Sequence, residues 1–224
     1  MVQGGNEDRE LVNPMIMQAI KHKIRMGLHG FNHNRLEKIL KSELKPAYAV
    51  MDIGCGVRPQ PYLIPKVHYC IDPYPEYLNK LEKPDDRDWA IVMGDWKTAT
   101  FMMSYIPTDT VFLLDVIEHI DYLKAKVYLK RTEKLVKKQI VVFTPDGYLE
   151  QETREDGKDA WGLDGADFQD HLSGWKAKDF RGEGWKVWRF PFFHTANNLN
   201  EPIRPQGAIL AIYTKEDEDG TKTQ

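Results

Sequence analysis

Hydrophobic residues along the chain follow two patterns, and the change from one to the other falls near Pro46. Up to about Leu44, apolar residues recur at the spacing of amphipathic helices. Gly27 and Gly30 interrupt that spacing, which predicts two helices with a bend between them. Because lysine and arginine are frequent here, we interpret residues 1–45 as an N-terminal helical lid region, with a simple solvated face as the alternative.

After Pro46, short apolar runs alternate with helical patterns. The runs occupy residues 48–54, 67–72, 89–95, 110–116 and 139–144, and a helical pattern covers residues 121–136. Strands that are apolar throughout and separated by crossovers are typical of a parallel sheet with helices on both faces. This part of the chain therefore predicts an α/β fold, a Rossmann-like three-layer sandwich.

The last third of the chain predicts a different pairing of strands. Residues 185–193 and 207–215 are apolar runs, and the link between them is too short and too polar for another crossover helix. We expect these two strands to form an antiparallel pair. The domain then spans residues 46–215, followed by a flexible polar tail over residues 216–224.

Composition narrows the class of protein. The 224 residues suit one domain, and 31 basic against 34 acidic residues give a net charge of −3, which argues against a strongly basic nucleic-acid coat. No apolar run is long enough to span a membrane, and the polar N-terminus is unlike a secretory signal. Cys55 and Cys70 lack the spacing of zinc ligands. We therefore expect a reduced, cytoplasmic protein with no membrane partner.

A glycine-containing loop after the first strand is the strongest sign of a ligand site. The strand runs through Asp52 into Gly54, Cys55 and Gly56. Glycine allows unusual backbone dihedrals and close approach of a ligand. Because nucleotides bind beyond the carboxyl ends of strands in open parallel sheets, this loop predicts one wall of a nucleotide crevice.

Acidic residues follow the next three strands. Asp72 ends the second strand, where a carboxylate can accept hydrogen bonds from ribose hydroxyls. Asp95 follows the third strand and suits an adenine amine, with Trp96 either beside the base or in the core. Asp115 ends the fourth strand, so these polar groups are expected at the mouth of one crevice.

Taken in order, the motifs DIGCG (52–56), YCID (69–72), MGDW (93–96) and LLDVIEH (113–119) resemble those of the class I S-adenosylmethionine-dependent methyltransferases. The resemblance is strongest to the branch with a Glu-His pair after the fourth strand. It implies a seven-stranded, mostly parallel sheet, with S-adenosylmethionine as cofactor and S-adenosylhomocysteine as product. It places Gly54, Cys55 and Gly56 at the methionine portion, Asp72 at the ribose, Asp95 and Trp96 at the adenine, and Asp52 and Asp115 beside the amino group.

The chain departs from that family's pattern just after the glycine loop. Arg58 stands where the family often has a third glycine, and it is expected either near the cofactor carboxylate or on the surface. Pro59, Pro61 and Pro65 restrict any helix here to about two turns. A dinucleotide oxidoreductase is the alternative for the glycines, but that reading requires glycine where Pro59 stands.

Three residues are candidates for handling the acceptor. His119 follows the fourth strand beside Glu118, and an imidazole suits proton transfer near neutral pH; packing at a helix start is the alternative. Asp146 is expected to point into the crevice unless its Pro-Asp-Gly sequence serves only a turn. His171 lies before a helix expected to start near Ser173, in a cluster that suits either a pocket wall or a helix cap.

A long acidic insertion, about residues 150–172, is expected over the substrate side of the crevice. Its charge disfavours nucleic acid there, because phosphates would be repelled. A cation shared by Asp115 and Asp146 is an alternative, but Gly147 stands where a third oxygen ligand is expected. We therefore predict no metal site.

Together these features predict an enzyme that transfers a methyl group from S-adenosylmethionine to oxygen or nitrogen of a small-molecule or sugar-containing acceptor. One alternative is a structured-RNA methyltransferase that holds phosphates on the basic residues of 21–45. The other is a non-catalytic module that binds the cofactor. We expect a monomer or a homodimer.

Overall fold

Seven strands form one sheet in the computed structural model, which describes residues 32–151, 156–159, 161–196 and 202–216. The strands are β1 (Ala49–Ile53), β2 (Val67–Asp72), β3 (Asp88–Met93), β4 (Thr110–Leu114), β5 (Gln139–Pro145), β6 (Trp185–Ala196) and β7 (Pro202–Thr214). Their order is β3-β2-β1-β4-β5-β7-β6. The first five are parallel, and β7 pairs antiparallel with both β5 and β6. The predicted sheet is confirmed, including its C-terminal antiparallel pair.

Helices cover both faces of this sheet, as the three-layer prediction requires. They are α1 (32–43), α2 (Pro75–Asn79), α3 (Trp96–Met103) and α4 (Tyr122–Leu135). Leu36 and Leu40 of α1 pack with Phe112 in one buried cluster. Ala99 of α3 and Ala125 of α4 belong to the cluster on the opposite face. Among the described residues, no helix has the length and apolar character needed to cross a bilayer.

The apolar runs become strands because both faces of the sheet are covered. Along β4, Val111 and Leu113 belong to one core cluster and Phe112 to the other, and all three are fully buried. Side chains alternate across a strand, so a strand that is covered on both sides is apolar at nearly every position. The helix predicted over 121–136 is confirmed as α4, which begins after the capping carboxylate of Asp121.

The chain between the glycine loop and β2 differs from the expected short helix, since no helix forms there. The prolines of this stretch remove the backbone donors that a helix needs. The side chain of Gln60 holds the backbone of this stretch instead, since its Oε1 accepts the N–H groups of Tyr62 and Leu63 and its Nε2 donates to the carbonyl of Leu63, at 2.9 Å each. The helix expected from Ser173 is also absent, and a short 3-10 turn, Ala177–Phe180, follows instead.

Parts of the predicted organisation lie outside the described residues. Of the N-terminal helical region, residues 1–31 are not described, and these include Lys21, Lys23 and Arg25. The predicted tail is described only at its first residue, Glu216.

Gly54 brings the loop after β1 against the segment that follows β4. Its φ is +68°, and a Cβ at this position would lie 2.6 Å from Cγ2 of Val116. Its N–H donates to the carbonyl of Ile71 at 2.7 Å, which holds the same loop against β2. Only glycine meets both the backbone and the packing requirement here.

The variant Gly54→Ala should lower the free energy of unfolding by roughly 2–4 kcal/mol, because it adds backbone strain and a steric overlap. Adding Val116→Ala removes the overlap and leaves the strain. In urea unfolding, the double variant should therefore lose less than the sum of the two single losses, by about 1 kcal/mol or more. Strictly additive losses would contradict the close packing of Gly54 and Val116.

Candidate active site

A cavity of about 910 Å³ opens at the carboxyl ends of β1, β2 and β4. This is where ligands bind in open α/β sheets, and the volume suits a nucleoside-sized ligand with room beside it. Nine of the residues proposed from the sequence line this cavity: Gly54, Cys55, Gly56, Asp72, Asp95, Trp96, Asp115, His119 and His171. Arg58 also lines it, and Asp52 and Asp146 do not.

The glycine loop presents its backbone to the cavity. Gly56 has a φ of +56°, and a Cβ added there would meet nothing within 4 Å. Its N–H donates to Oδ2 of Asp72 at 2.9 Å. Asp72 therefore holds the loop in place, and the space beside Gly56 is left open for a ligand.

Asp72 joins two of the chain segments that border the cavity. Its Oδ1 accepts the N–H of Tyr74 at 2.9 Å, while its Oδ2 accepts that of Gly56. The side chain is buried, and burial raises the pKa of its carboxyl group. Each carboxylate oxygen has a second lone pair, so Asp72 can also accept hydrogen bonds from a ligand in the cavity.

Asp95 and Trp96 serve the start of α3 as well as the cavity wall. Asp95 caps the helix by accepting the N–H of Thr98 at 2.9 Å. Although burial acts in the opposite direction, the hydrogen bonds from Thr98 lower the pKa of this carboxyl group. Trp96 is 2% exposed and donates its indole N–H to Oγ1 of Thr132 at 3.0 Å. Its ring belongs to the core, the alternative that the sequence left open.

His119 and His171 lie side by side in the wall of the cavity. Their ring centroids are 4.7 Å apart at an interplanar angle of 70°. Nδ1 of His119 donates to the carbonyl of Asp170 at 3.0 Å, and Nδ1 of His171 donates to that of Leu149 at 2.5 Å. Burial lowers the pKa of His119, and burial together with the nearby His119 lowers that of His171 to about 4.

The insertion brings His171 to this position by returning to the loop after β4. The N–H groups of Leu172 and Ser173 both donate to the carbonyl of Glu118, at 2.8 and 3.0 Å. Oγ of Ser173 donates to the carbonyl of Ile117 at 3.2 Å. Ser173 therefore anchors the returning chain and caps no helix.

Glu118 was considered in the sequence only as a neighbour of His119, yet it belongs to the site. It is 1% exposed, lines the cavity, and its Oε2 accepts the hydroxyl of Thr144 at 3.0 Å. Its other oxygen, Oε1, is buried without a hydrogen-bond partner. Burial and the nearby Asp115 raise the pKa of Glu118 well above its usual range. Asp115 itself has a φ of +52°, an uncommon backbone geometry for a residue other than glycine.

Asp146 does not point into the crevice, which corrects the expectation from its position after β5. Its Oδ2 lies 2.6 Å from Nη2 of Arg189, and its Oδ1 lies 3.4 Å from Nζ of Lys176. The two cations come from β6 and from the segment before it, and they hold the carboxylate away from the cavity. This geometry also removes the basis for a cation shared with Asp115.

Asp52 likewise does not line the cavity, although the resemblance placed it beside the cofactor's amino group. Its Oδ2 accepts the N–H of Gln60 at 2.6 Å and lies 3.5 Å from Nε2 of His68. The side chain is 2% exposed. Its visible role is to hold the proline-rich stretch against β1 and β2.

The described part of the insertion forms a further wall of the cavity, built around Asp159. This buried carboxylate accepts the hydroxyl of Tyr77 at 2.5 Å and the N–H groups of Trp161 and Leu163 at 2.9 Å each. Because Tyr77 lies on α2, the bond docks the insertion on the domain. Trp161 and Phe168 thereby line the cavity.

Solved structures with a similar chain fold include several methyltransferases. Magnesium protoporphyrin IX methyltransferase from Synechocystis PCC 6803 is 13% identical, with 94% of this chain and 87% of that chain covered at a TM-score of 0.46. The N-methyltransferase NodS from Bradyrhizobium japonicum is 11% identical, with coverages of 92% and 100% and a TM-score of 0.46. A small RNA methyltransferase is 15% identical, with coverages of 83% and 25% and a TM-score of 0.48. No family model and no curated protein sequence matches the chain. Because these TM-scores are below 0.5, the function proposed below depends on the geometry of the cavity.

The variant Tyr77→Phe should lower the free energy of unfolding by about 1–3 kcal/mol, because it removes the hydroxyl donor from a buried carboxylate. Hydrogen exchange should become faster over residues 161–169, where the insertion docks on α2. Tyr105→Phe is the matched control, since Tyr105 is 75% exposed. Equal effects of the two variants would contradict the role of the Tyr77–Asp159 bond.

Proposed function

We propose that the protein is an S-adenosylmethionine-dependent methyltransferase acting on oxygen or nitrogen of a small-molecule or sugar-containing acceptor. The observation that carries the proposal is that two unlike groups of residues line one cavity, and we assign them to its two ends. One end has the open glycine backbone and the buried carboxylate of Asp72. The other end has Glu118, His119 and His171.

The first end suits the cofactor. Gly54 and Gly56 leave room for the methionine portion to lie against the backbone, and Asp72 can accept hydrogen bonds from the ribose hydroxyls. Arg58 lines the same end and supplies a cation for the cofactor's carboxylate. Asp95, at the start of α3, borders the space left for the adenine.

The second end suits a compact polar acceptor. The insertion places the amide of Gln151 beside His171, and its aromatic rings of Trp161 and Phe168 line the same cavity next to Tyr77 and Tyr74. Aromatic rings with a few polar groups are typical of small-molecule pockets, and rings of this kind stack on sugars and planar ligands.

Methyl transfer makes modest demands on the protein. The acceptor atom forms a bond to the methyl carbon, the carbon–sulfur bond breaks, and its electron pair returns to sulfur to give S-adenosylhomocysteine. The enzyme contributes chiefly by aligning the two reactants and excluding water. The two-ended cavity provides that alignment, since it holds donor and acceptor in one enclosed space.

The variant Gly56→Ala should weaken S-adenosylhomocysteine binding by about tenfold or more, equivalent to about 1.4 kcal/mol, because its methyl group takes space that the ligand needs. Gly157→Ala is a matched control. Gly157 has a φ of +67° and open space around its Cβ position, but it lies outside the cavity. Both variants should lose similar stability from left-handed strain.

Calorimetric titration of both variants with S-adenosylhomocysteine separates the two effects. A parallel loss of affinity in Gly157→Ala would mean that strain alone is responsible. Unchanged affinity in Gly56→Ala would count against a ligand at the glycine loop.

The variant Asp72→Asn should weaken binding of both S-adenosylhomocysteine and adenosine by about 1–3 kcal/mol, because both ligands carry the ribose that loses a charged acceptor. The control is Asp88→Asn, an exposed acid at the opposite end of the sheet that pairs with Lys66 at 3.2 Å. Thermal melts report any loss from the bonds of Asp72 to the backbone. If folded Asp72→Asn protein binds adenosine as wild type does, the ribose lies elsewhere.

A further inference from the structure

Three side chains at the acceptor end of the cavity carry potential metal-binding atoms that lie close together. They are Glu118, His119 and His171, and one ligand atom from each lies within 4.8 Å of the others. Glu118 and His119 are neighbours after β4, whereas His171 arrives from the returning insertion. The grouping therefore exists only in the folded chain.

Both imidazoles are held in the tautomer that a metal ligand requires. A carbonyl oxygen can only accept, so Nδ1 of His119 carries the proton that it donates to Asp170, and Nδ1 of His171 carries the one that it donates to Leu149. Nε2 of each ring is then left with a lone pair. Metal-binding histidines are commonly oriented in this way, with the second ring nitrogen donating to a carbonyl or carboxylate.

One oxygen of the buried Glu118 carboxylate lacks a partner, and a cation would supply one. Thr144 satisfies Oε2 at 3.0 Å, but Oε1 has no hydrogen-bond partner although it is buried. Leaving a buried carboxylate oxygen unpartnered is unfavourable. The nearby Asp115 adds further negative charge at the same end of the cavity.

From this geometry we propose that Glu118, His119 and His171 bind a first-row divalent transition-metal cation, such as Mn²⁺, Co²⁺ or Zn²⁺. Two imidazoles and one carboxylate form a donor set typical of such cations. The amide Nε2 of Gln151 lies 2.8 Å from Nε2 of His171 and would be displaced when the cation binds. Glu118, His119 and His171 all line the cavity, so a cation that they hold would be accessible to an acceptor bound there.

A cation held there would also contribute to catalysis, an extension that rests on the proposed function. An acceptor hydroxyl bound there becomes more acidic and is fixed beside the cofactor end. When the reaction proceeds, the hydroxyl proton leaves to water and the acceptor oxygen bonds to the methyl carbon. The carbon–sulfur bond breaks at the same time and its electron pair returns to sulfur. The cation therefore favours acceptors that carry hydroxyl groups.

The test is a titration of tag-free, chelator-treated protein with Co²⁺, followed by visible absorption and calorimetry. Wild type should bind one cation per chain and develop the ligand-field bands of a nitrogen- and oxygen-ligated ion. Glu118→Gln and His171→Gln should each weaken binding at least as much as the roughly 10–100-fold that loss of an outer-shell partner costs. His33→Gln is the control, because His33 lies on α1 outside the cavity.

Several outcomes would overturn the proposal. One is wild-type protein that binds no Co²⁺, and another is folded Glu118→Gln and His171→Gln that bind it normally. A thiolate-to-cobalt absorption band would place the ion instead at a second group, the fully enclosed Asp52, His68 and Cys70. His119→Gln provides a third variant if either of the first two fails to fold, as judged by circular dichroism.

The same preparations are titrated with S-adenosylhomocysteine. Binding of the nucleoside without Co²⁺ binding overturns the metal site and leaves the proposed function standing. Co²⁺ binding that depends on the three side chains, in protein that does not bind S-adenosylhomocysteine, supports the metal site and overturns the proposed function.

Discussion

The close contact between the loop after β1 and the segment after β4 is the constraint on which the cavity depends. The loops that follow parallel strands all lie at one edge of the sheet, but a cavity forms there only where these loops also contact one another. Gly54 allows this, because its position against Val116 has no room for a side chain. The same glycine donates to the end of β2, so three strand ends are fixed relative to one another. The cofactor end of the cavity therefore belongs to the rigid part of the fold.

The acceptor end is assembled differently, by a long segment that leaves the sheet and returns. Its return is fixed by two N–H groups that donate to the carbonyl of Glu118, and by Ser173 bonding to Ile117. Its outer part is fixed on α2 through Tyr77 and Asp159. These few polar bonds set the distance between His119 and His171. Loops held in this way can change their lining residues without changing the sheet, which suits a site that selects its acceptor.

The sheet and α4 could be predicted because their signals are local. Strands covered on both faces are apolar at nearly every position, and glycine in the first loop indicates by its residue type where the backbone has a positive φ. The direction of a charged side chain is not a local property. Asp146 follows a strand end as expected, but Arg189 and Lys176 hold it away from the cavity. The carboxylate of Asp52 is similarly held by the N–H of Gln60 and the imidazole of His68. The grouping of His171 with Glu118 depends on how the insertion returns, which no local pattern contains.

A crystal structure of the protein with S-adenosylhomocysteine tests the central claim most directly. The ribose hydroxyls should lie on Asp72, the amino-acid portion along Gly54 and Gly56, and the sulfur should point toward Glu118, His119 and His171. A nucleoside bound in the reverse direction, or bound outside this cavity, would contradict it.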